Sequence, residues 1–132
     1  MAKLVFDASA VISLFDARSV HHSWALSVFT SNGDAEFFIS ALTYAEILVH
    51  PAKVKQLEVF SKNLAKAGFE VVGIDQDSAV EIAKTRAITG LKMPDAVVLS
   101  LAKEIDATLV STDKDVLAKA KTAKLKTLKP KN

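Results

Sequence analysis

Four acidic residues lie in apolar surroundings, where the sequence passes from a predicted strand to a helix or forms part of a predicted helix. They are Asp7 in LVFDASAV, Glu46 in LTYAEILV, Asp95 in MPDAVVLSLA and Asp113 in TLVSTDKDV. A carboxylate beside a core-forming segment is costly to bury unless its charge is compensated. If the fold brings all four together, their mutual repulsion requires a cation, and oxygen ligands alone suit Mg²⁺ or Mn²⁺ rather than zinc.

Each of these acids also has a structural explanation when it is considered alone. Asp7 would cap the helix that follows it, and Asp113 would contribute to a similar cap. Asp95, directly after Pro94, would complement the dipole at a helix start, and Glu46 would point to solvent. The functional hypothesis therefore depends on the four side chains meeting in one place.

The elements that must position these acids alternate between strand and helix. The apolar pattern and the positions of glycine and proline predict strands at 3–6, 35–39, 69–74, 107–110 and 125–128. The same criteria predict helices at 8–15, 21–30, 42–49, 52–67, 78–89, 95–105 and 114–121. Repeated β-then-α units predict an α/β fold, a three-layer α/β/α sandwich with a central, mainly parallel sheet. Ligands bind such sheets at the carboxyl ends of the strands, which Asp7 and Asp113 follow.

Composition narrows the class of protein. The chain has 132 residues, of which 50% are hydrophobic, so we expect one domain over 1–132 with a real core. It has no cysteine, which excludes disulfides, thiol catalysis and cysteine-ligated zinc. Asp7 interrupts the first apolar segment too early for a signal peptide, and no apolar run approaches the roughly 20 residues that span a bilayer. A cytoplasmic location is the expectation.

Charge is distributed unevenly along the chain. Residues 116–132 contain six lysines and no acid, so residues 1–115 have a net charge of −4 within a total of +2. A basic end on an acidic body can attract polyanions, although a solvated terminus explains the same pattern and is favoured by charge alone. If an RNA site exists elsewhere, Lys92 and this lysine-rich segment are candidates for contacting the RNA backbone.

The four acidic segments together resemble the motifs of the PIN-domain ribonucleases, in particular the VapC-type toxins of prokaryotic toxin–antitoxin pairs. LVFDASAVISLF is similar to the first motif, ALTYAEIL to the second, MPDAVVLSLA to the third and LVSTDKD to the fourth. No single segment is specific, but four in this order in a chain of this length are strong evidence together. The resemblance extends over nearly the whole chain.

The resemblance implies a PIN-like sandwich that hydrolyses RNA phosphodiester bonds with Mg²⁺ or Mn²⁺. By this similarity Asp7 and Asp95 are direct metal ligands. Asp113 completes the ligand set or binds through water, and Glu46 holds a second metal or orients the attacking water. The resemblance also suggests supporting residues, namely Ser9 and Ser111 as hydrogen-bonding hydroxyls and Asp115 as a possible fifth acid.

The resemblance further implies partners, namely an RNA substrate, a cognate antitoxin and a second copy of the chain in a homodimer. The predicted helices 42–49 and 52–67 are the candidate surface for the antitoxin or the dimer. Its exposed apolar residues would be Leu48, Val54, Leu57 and Phe60. The same residues would equally face the domain's own core. His50 is expected to complement a helix end, with contact to RNA or an inhibitor as the alternative.

Two other functions fit parts of the sequence. A catalytically silent PIN-like scaffold would bind RNA or protein without cleaving. A receiver-type phosphoacceptor would use Asp75, Ser111-Thr112 and Lys129-Pro130, but it requires an adjacent acidic pair after the first strand, which is absent here. An aspartyl phosphatase requires an acid two residues after Asp7, where the chain has Ser9.

Overall fold

Five short parallel strands form the centre of the protein in the computed structural model, which describes residues 1–131. The strands are β1 (Lys3–Phe6), β2 (Glu36–Ser40), β3 (Phe69–Val72), β4 (Thr108–Val110) and β5 (Thr127–Leu128). Their spatial order is β3-β2-β1-β4-β5, and every pair is parallel. The predicted parallel sheet is confirmed, while the predicted domain end at Asn132 lies outside the described residues.

Seven helices connect these strands within residues 1–131. They are α1 (Ala8–Phe15), α2 (His22–Ser31), α3 (Ala41–Lys53), α4 (Leu57–Lys66), α5 (Gln76–Thr89), α6 (Met93–Glu104) and α7 (Lys114–Thr122). None of the helices in that part of the chain has the length and apolar character that crossing a membrane requires.

Alternate side chains of the strands face two separate apolar layers, as the period of a strand dictates. Val5 packs in a cluster with residues of α5, α6 and α7. Leu4 and Phe6 pack on the opposite face with residues of α1 to α4, where the rings of Phe6 and Phe69 meet edge to face at 5.1 Å. The sheet is therefore covered on both faces, which is the predicted three-layer α/β/α sandwich.

The strand order decides what meets at the carboxyl end of the sheet. β1 lies between β2 and β4, so Leu4 pairs with Phe37 on one side and with Thr108 on the other. The chain runs from β1 to β2 and β3 on one side and then crosses from β3 to β4 on the other side of β1, and such a switch point opens a crevice outside the strand ends. A receiver domain has the order 2-1-3-4-5, so the receiver alternative is wrong. Asp75, its proposed acceptor, forms a capping box with Ser78 at the start of α5.

One predicted boundary is wrong. We placed a helix end before Pro51, but α3 continues through it to Lys53, and α4 begins only at Leu57. Pro51 lies in the last turn of α3 and is buried, so apolar packing offsets the hydrogen bond that the missing N–H cannot make. The chain turns instead at Lys55, whose φ of 59° is left-handed. The other predicted bounds differ from the observed ones by at most two residues.

Candidate active site

A cavity of ≈190 Å³ at the carboxyl end of the sheet brings the four predicted acids together. Asp7 reaches it from the end of β1, and Asp113 from the loop after β4. Glu46 reaches it from α3, and Asp95 from the first turn of α6. The rest of its wall is formed by Ala8, Ser9, Thr43, Pro94 and Val98.

Asp7 is the most constrained of the four. Its side chain is only 4% exposed, and its backbone N–H donates to the Val110 carbonyl at 3.1 Å. Its Oδ1 accepts from the Ser9 hydroxyl at 2.6 Å and from the Ala10 N–H at 2.9 Å, and its Oδ2 accepts from the Ser111 hydroxyl. A carboxylate has about four lone-pair sites, and three are used here. The orientation of Asp7 is thus set while room for one further ligand remains.

The two serines also connect Asp7 to the loop that carries Asp113. The Ser111 hydroxyl accepts from the Asp113 N–H at 2.9 Å, and the Ser9 hydroxyl accepts from the Thr112 N–H at 3.1 Å. The hydroxyl network therefore holds the ends of β1 and β4 in register at the cavity. This is the geometry that a supporting role for Ser9 and Ser111 requires.

Asp7 and Asp113 also perform the capping role that the sequence offered as an alternative. Asp7 is the N-cap of α1. Asp113 is the N-cap of α7, and its Oδ1 accepts from the N–H groups of Asp115 and Val116 at 2.8 and 3.3 Å. Capping fixes the backbone at both positions, so it positions the two carboxylates at the cavity as well as stabilising the helices.

Thr43 is a site residue that the sequence analysis missed. It is 1% exposed and lines the cavity one helical turn before Glu46. The Ser40 hydroxyl caps α3 by accepting from the Thr43 N–H at 2.9 Å, and it donates to the Thr43 hydroxyl at 3.0 Å. The signal was available, because residues three apart on a helix share a face.

Burial and mutual repulsion both disfavour ionisation at the cavity. The pKa of Asp95 is raised from its ordinary value of 3.8 to about 6, first by burial and then by the charges of Asp113, Asp7 and Glu46. Burial raises the pKa of Asp7 despite the hydrogen bonds that oppose the rise. Glu46 is exposed at the mouth, yet partial loss of hydration raises the pKa of its carboxyl, and the charge of Asp7 adds to this.

No cationic side chain among residues 1–131 neutralises these acids by direct pairing. The ion pairs in that part of the chain are Arg18–Asp16, Lys62–Glu58 and Lys84–Glu81, all on the surface. The cavity therefore concentrates negative charge that no described side chain pairs with directly, and this condition favours a bound cation.

The donor chemistry of the cavity fits a hard divalent cation, since all four charged groups offer oxygen and the wall offers the hydroxyls of Ser9 and Thr43. The distances between the acidic side chains fit such a cation less well than their chemistry does. Within residues 1–131 no three His, Asp or Glu side chains stand close enough, as placed, to share one ion. Binding would therefore require side-chain rotation, for which the half-buried Asp95 and exposed Glu46 have freedom.

Asp115, the suggested fifth acid, does not line this cavity. Its side chain is exposed on the first turn of α7 and lines a neighbouring cavity instead. Asp115 therefore does not line the cavity where all four acids meet, although it lines the neighbouring one with Asp95 and Asp113.

The raised pKa of Asp95 predicts how the stability of the metal-free domain changes with pH. The folded state holds this proton more tightly than the unfolded state, so the stabilisation is complete below about pH 4 and is lost as pH rises through about 6. Asp95→Asn removes this loss and raises the free energy of unfolding at pH 7 by up to about 1 kcal/mol, since water screens a half-exposed charge. Urea unfolding between pH 4 and 8 in EDTA measures the difference. Asp34→Asn, on an exposed turn, is the control, and parallel curves for wild type and Asp95→Asn would contradict the assignment.

Comparisons with known proteins agree with this architecture. The model of the PIN domain family matches residues 4–122. A solved toxin–antitoxin complex from Klebsiella pneumoniae is similar with a TM-score of 0.70 and 27% identity, covering 85% of this chain and 88% of that chain. No curated protein matches the chain in sequence.

Two more distant structures share the fold. VapC20 from Mycobacterium tuberculosis, described as a sarcin-ricin loop cleaving toxin, has a TM-score of 0.73 and 13% identity over 87% of this chain and 93% of its own. DNA-bound VapBC from Salmonella typhimurium has a TM-score of 0.72 and 16% identity over 98% of both chains.

Proposed function

This chain belongs to the PIN domain family, and from that premise we propose that it is a Mg²⁺- or Mn²⁺-dependent endoribonuclease and the toxin of a type II toxin–antitoxin pair. The observation that carries the proposal is the convergence of four carboxylates on one cavity with no paired cationic side chain among residues 1–131. The toxins named among the structural neighbours, one of them described as a sarcin-ricin loop cleaving toxin, support a nucleic-acid substrate, which we propose is RNA.

The proposed role of each acidic residue in phosphodiester hydrolysis follows from how strongly its side chain is constrained. A bound divalent ion would neutralise phosphoryl charge and lower the pKa of a water molecule. Asp7, fixed by Ser9 and Ser111, would hold the ion in a constant position. Asp95 and Asp113 would complete its ligands from α6 and from the loop after β4.

Glu46 is placed for a different task. It is exposed at the cavity mouth, so it can contact solvent and a bound phosphate at once. Its raised pKa makes the carboxylate a better proton acceptor near neutral pH. We assign Glu46 the orientation of the attacking water. The described chain offers this cavity no Ser–His pair for nucleophilic attack, because no histidine lines it.

The test of this proposal is the cleavage of RNA by the purified domain and the chemistry of the product ends. Attack by water leaves linear monophosphate ends, and it proceeds on a substrate whose 2′-hydroxyls are methylated. Cyclic phosphate ends, or a requirement for the 2′-hydroxyl, would contradict the mechanism. Binding of RNA without cleavage under any divalent ion would favour the catalytically silent scaffold instead.

A groove beside the cavity supports the antitoxin partner. It has a volume of ≈560 Å³, begins at Glu46 and runs between α1, α3 and α4. Its apolar wall includes Ile12 and Val59, which are 51% and 56% exposed. Exposed apolar surface of this kind is typical of a protein-binding groove. Solved relatives are toxin–antitoxin complexes, so we assign this groove to the antitoxin.

The groove only partly matches the surface expected from the sequence. Of the four apolar residues named for it, Val54 and Phe60 line the groove, whereas Leu48 and Leu57 do not. His50, exposed near the end of α3, lines it as well. The homodimer implied by the resemblance stays a prediction, which sedimentation of the purified domain measures.

Charging the groove is expected to weaken antitoxin binding. Val59→Lys places an ammonium in the apolar wall and should raise the dissociation constant about tenfold, the cost of disturbing a central interface contact. Binding is measured by calorimetry with the co-expressed product of the neighbouring reading frame. Val80→Lys on α5 is the matched control, because Val80 is 52% exposed and lies outside the groove. Equal affinities for the two variants would show that the groove is not the binding surface.

A further inference from the structure

A second cavity adjoins the acidic one on the side of α6 and α7. It has a volume of ≈320 Å³ and shares Asp95 and Asp113 with the acidic cavity. Its volume lies near the lower end of the range for ligand pockets, about 300–1,000 Å³. A cavity of this size can accept one phosphate group of a nucleotide. The remaining wall consists of Thr89, Gly90, Leu91, Lys92, Asp115, Ala118 and Lys119.

Two lysines on different elements line this cavity. Lys92 is the N-cap residue of α6, and its side chain makes no capping bond. Lys119 lies in the last turn of α7. Both are exposed, and neither forms an ion pair with a carboxylate among residues 1–131. Their ammonium groups are therefore available to an anionic ligand.

The position of Lys92 relates it electrostatically to the acidic cavity. Its positive charge opposes the rise in the pKa of Asp95 that burial and the other carboxylates cause. A phosphate contacting Lys92 would thus lie next to the place where a bound ion and the reacting phosphate meet. The groove on the opposite, Glu46 side is mostly apolar, so the lysine side offers the better path for an RNA backbone.

The structure also separates the lysines of the basic C-terminal segment from one another. Of its six lysines, only Lys119 lines either cavity near the acids. Lys124 and Lys126 line a cavity of ≈600 Å³ with Lys3, at the amino ends of β1, β4 and β5. That cavity lies at the amino ends of the strands, whereas the acidic cavity lies at their carboxyl ends. The segment is therefore not one uniform RNA-binding surface.

We propose that the lysine-lined cavity is the subsite for the RNA phosphate next to the scissile one, with Lys92 and Lys119 as its contacts. This inference rests on the proposed ribonuclease function of the adjoining cavity. It places the RNA backbone on the side of the acidic cavity that is formed by α6 and α7. The two lysines are then binding residues rather than catalytic ones. Their three carboxylate neighbours in the cavity, Asp95, Asp113 and Asp115, keep the subsite weak for free anions.

The test measures binding separately from cleavage. The probe is a fluorescein-labelled oligomer of ten uridines, in Ca²⁺ at low temperature, with gel electrophoresis to verify that it stays intact. Lys92→Gln and Lys119→Gln should each weaken binding about two- to fivefold, as for an exposed ion pair. The double variant Lys92→Gln, Lys119→Gln should also reduce the slope of log K against log salt by about 0.7, the value for one phosphate contact on a single strand, and each single variant should reduce it by part of that amount. Lys121→Gln, on the same helix outside the cavity, and Lys124→Gln are the controls.

A methylphosphonate scan of an RNA that wild type cleaves at one mapped position locates the contact, because a uridine homopolymer binds in many equivalent registers. Neutralising one phosphate, the one beside the cut, should weaken binding to wild type and have no effect on the double variant Lys92→Gln, Lys119→Gln. In cleavage, the same variants should raise KM with little change in kcat, because the contact exists equally before and during the reaction. The subsite is supported if the effect of methylphosphonate substitution depends on the two lysines at one phosphate position only.

The outcomes separate this inference from the proposed function. If wild type cleaves RNA and the two lysine variants have the KM and salt slope of the controls, the subsite is wrong and the ribonuclease stands. An equal loss in all four variants, which indicates diffuse attraction, overturns the subsite as well. If lysine-dependent RNA binding is observed without any cleavage, the subsite stands as an RNA contact and the proposed activity fails.

Discussion

Asp95→Asn is expected to reduce metal-dependent RNA cleavage by about 10²- to 10³-fold, the range seen when one preorganised charge-stabilising group is removed from an active site. The amide keeps the size of the carboxylate but loses the charge that would hold a divalent ion. Asp95 is half-buried and makes no ion pair within residues 1–131, so the fold does not depend on its charge. The measurement is kcat/KM on a labelled RNA.

The control for this prediction is stability. In EDTA at neutral pH, Asp95→Asn should unfold at a higher urea concentration than wild type, because it removes repulsion from Asp7, Asp113 and Glu46. Loss of activity with retained stability separates a functional role from a structural one. Full activity in this variant would refute the assignment of Asp95.

Asp7→Asn is expected to abolish cleavage too, but the structure predicts a cost in stability that the sequence does not. Three donors converge on the Asp7 carboxylate, from Ser9, Ala10 and Ser111. An amide has one acceptor oxygen and adds N–H donors, so at least one of these bonds is lost in a buried place, at about 1–3 kcal/mol. Asp95→Asn is consequently the cleaner test.

Removal of divalent ions is the second change with a large expected effect. Dialysis against EDTA should reduce RNA cleavage to background, and Mg²⁺ or Mn²⁺ should restore it, because the charged groups at the cavity all offer oxygen. The ion should also stabilise the fold by about 2.7 kcal/mol at a hundred times its dissociation constant. Differential scanning calorimetry measures this shift.

The pH dependence of that stabilisation identifies the ligands. Protons compete with the ion for a carboxylate, and the pKa of Asp95 is about 6. The shift in Tm caused by Mn²⁺ should therefore be larger at pH 7.5 than at pH 5, and it should shrink in Asp95→Asn but not in Asp34→Asn. Undiminished cleavage by the EDTA-dialysed protein would overturn the metal requirement.

The parallel sheet was predictable because strand and helix differ in hydrophobic period. Short apolar segments such as Lys3–Phe6 and Phe69–Val72, separated by helical segments, allow only a few topologies. Pro51 shows the limit of local reasoning. Proline is unfavourable inside a helix, so the sequence predicts a helix end there. Burial of the Pro51 ring in the last turn of α3 stabilises the longer helix, and that burial depends on residues distant in the sequence.

The positions of the candidate site were predictable to a similar extent. The acids stood out because each interrupts an apolar segment, where only function, capping or exposure accounts for a charge. Thr43 did not stand out, since a threonine is unremarkable at any helix position. The basic segment was visible as six lysines. A sequence does not reveal that Lys119 lies near the carboxyl ends of the strands and Lys124 near their amino ends.

The sequence by itself determined which groups are available for chemistry, namely acidic side chains without cysteine, and which short apolar segments form strands of the core. Tertiary structure decided which of these groups meet. Because β1 lies beside β4, the Ser111 hydroxyl reaches Asp7 across 104 positions of sequence, and Asp113 arrives with it. Strand order is set by the packing of two helical layers, a property of the whole chain that no local segment contains.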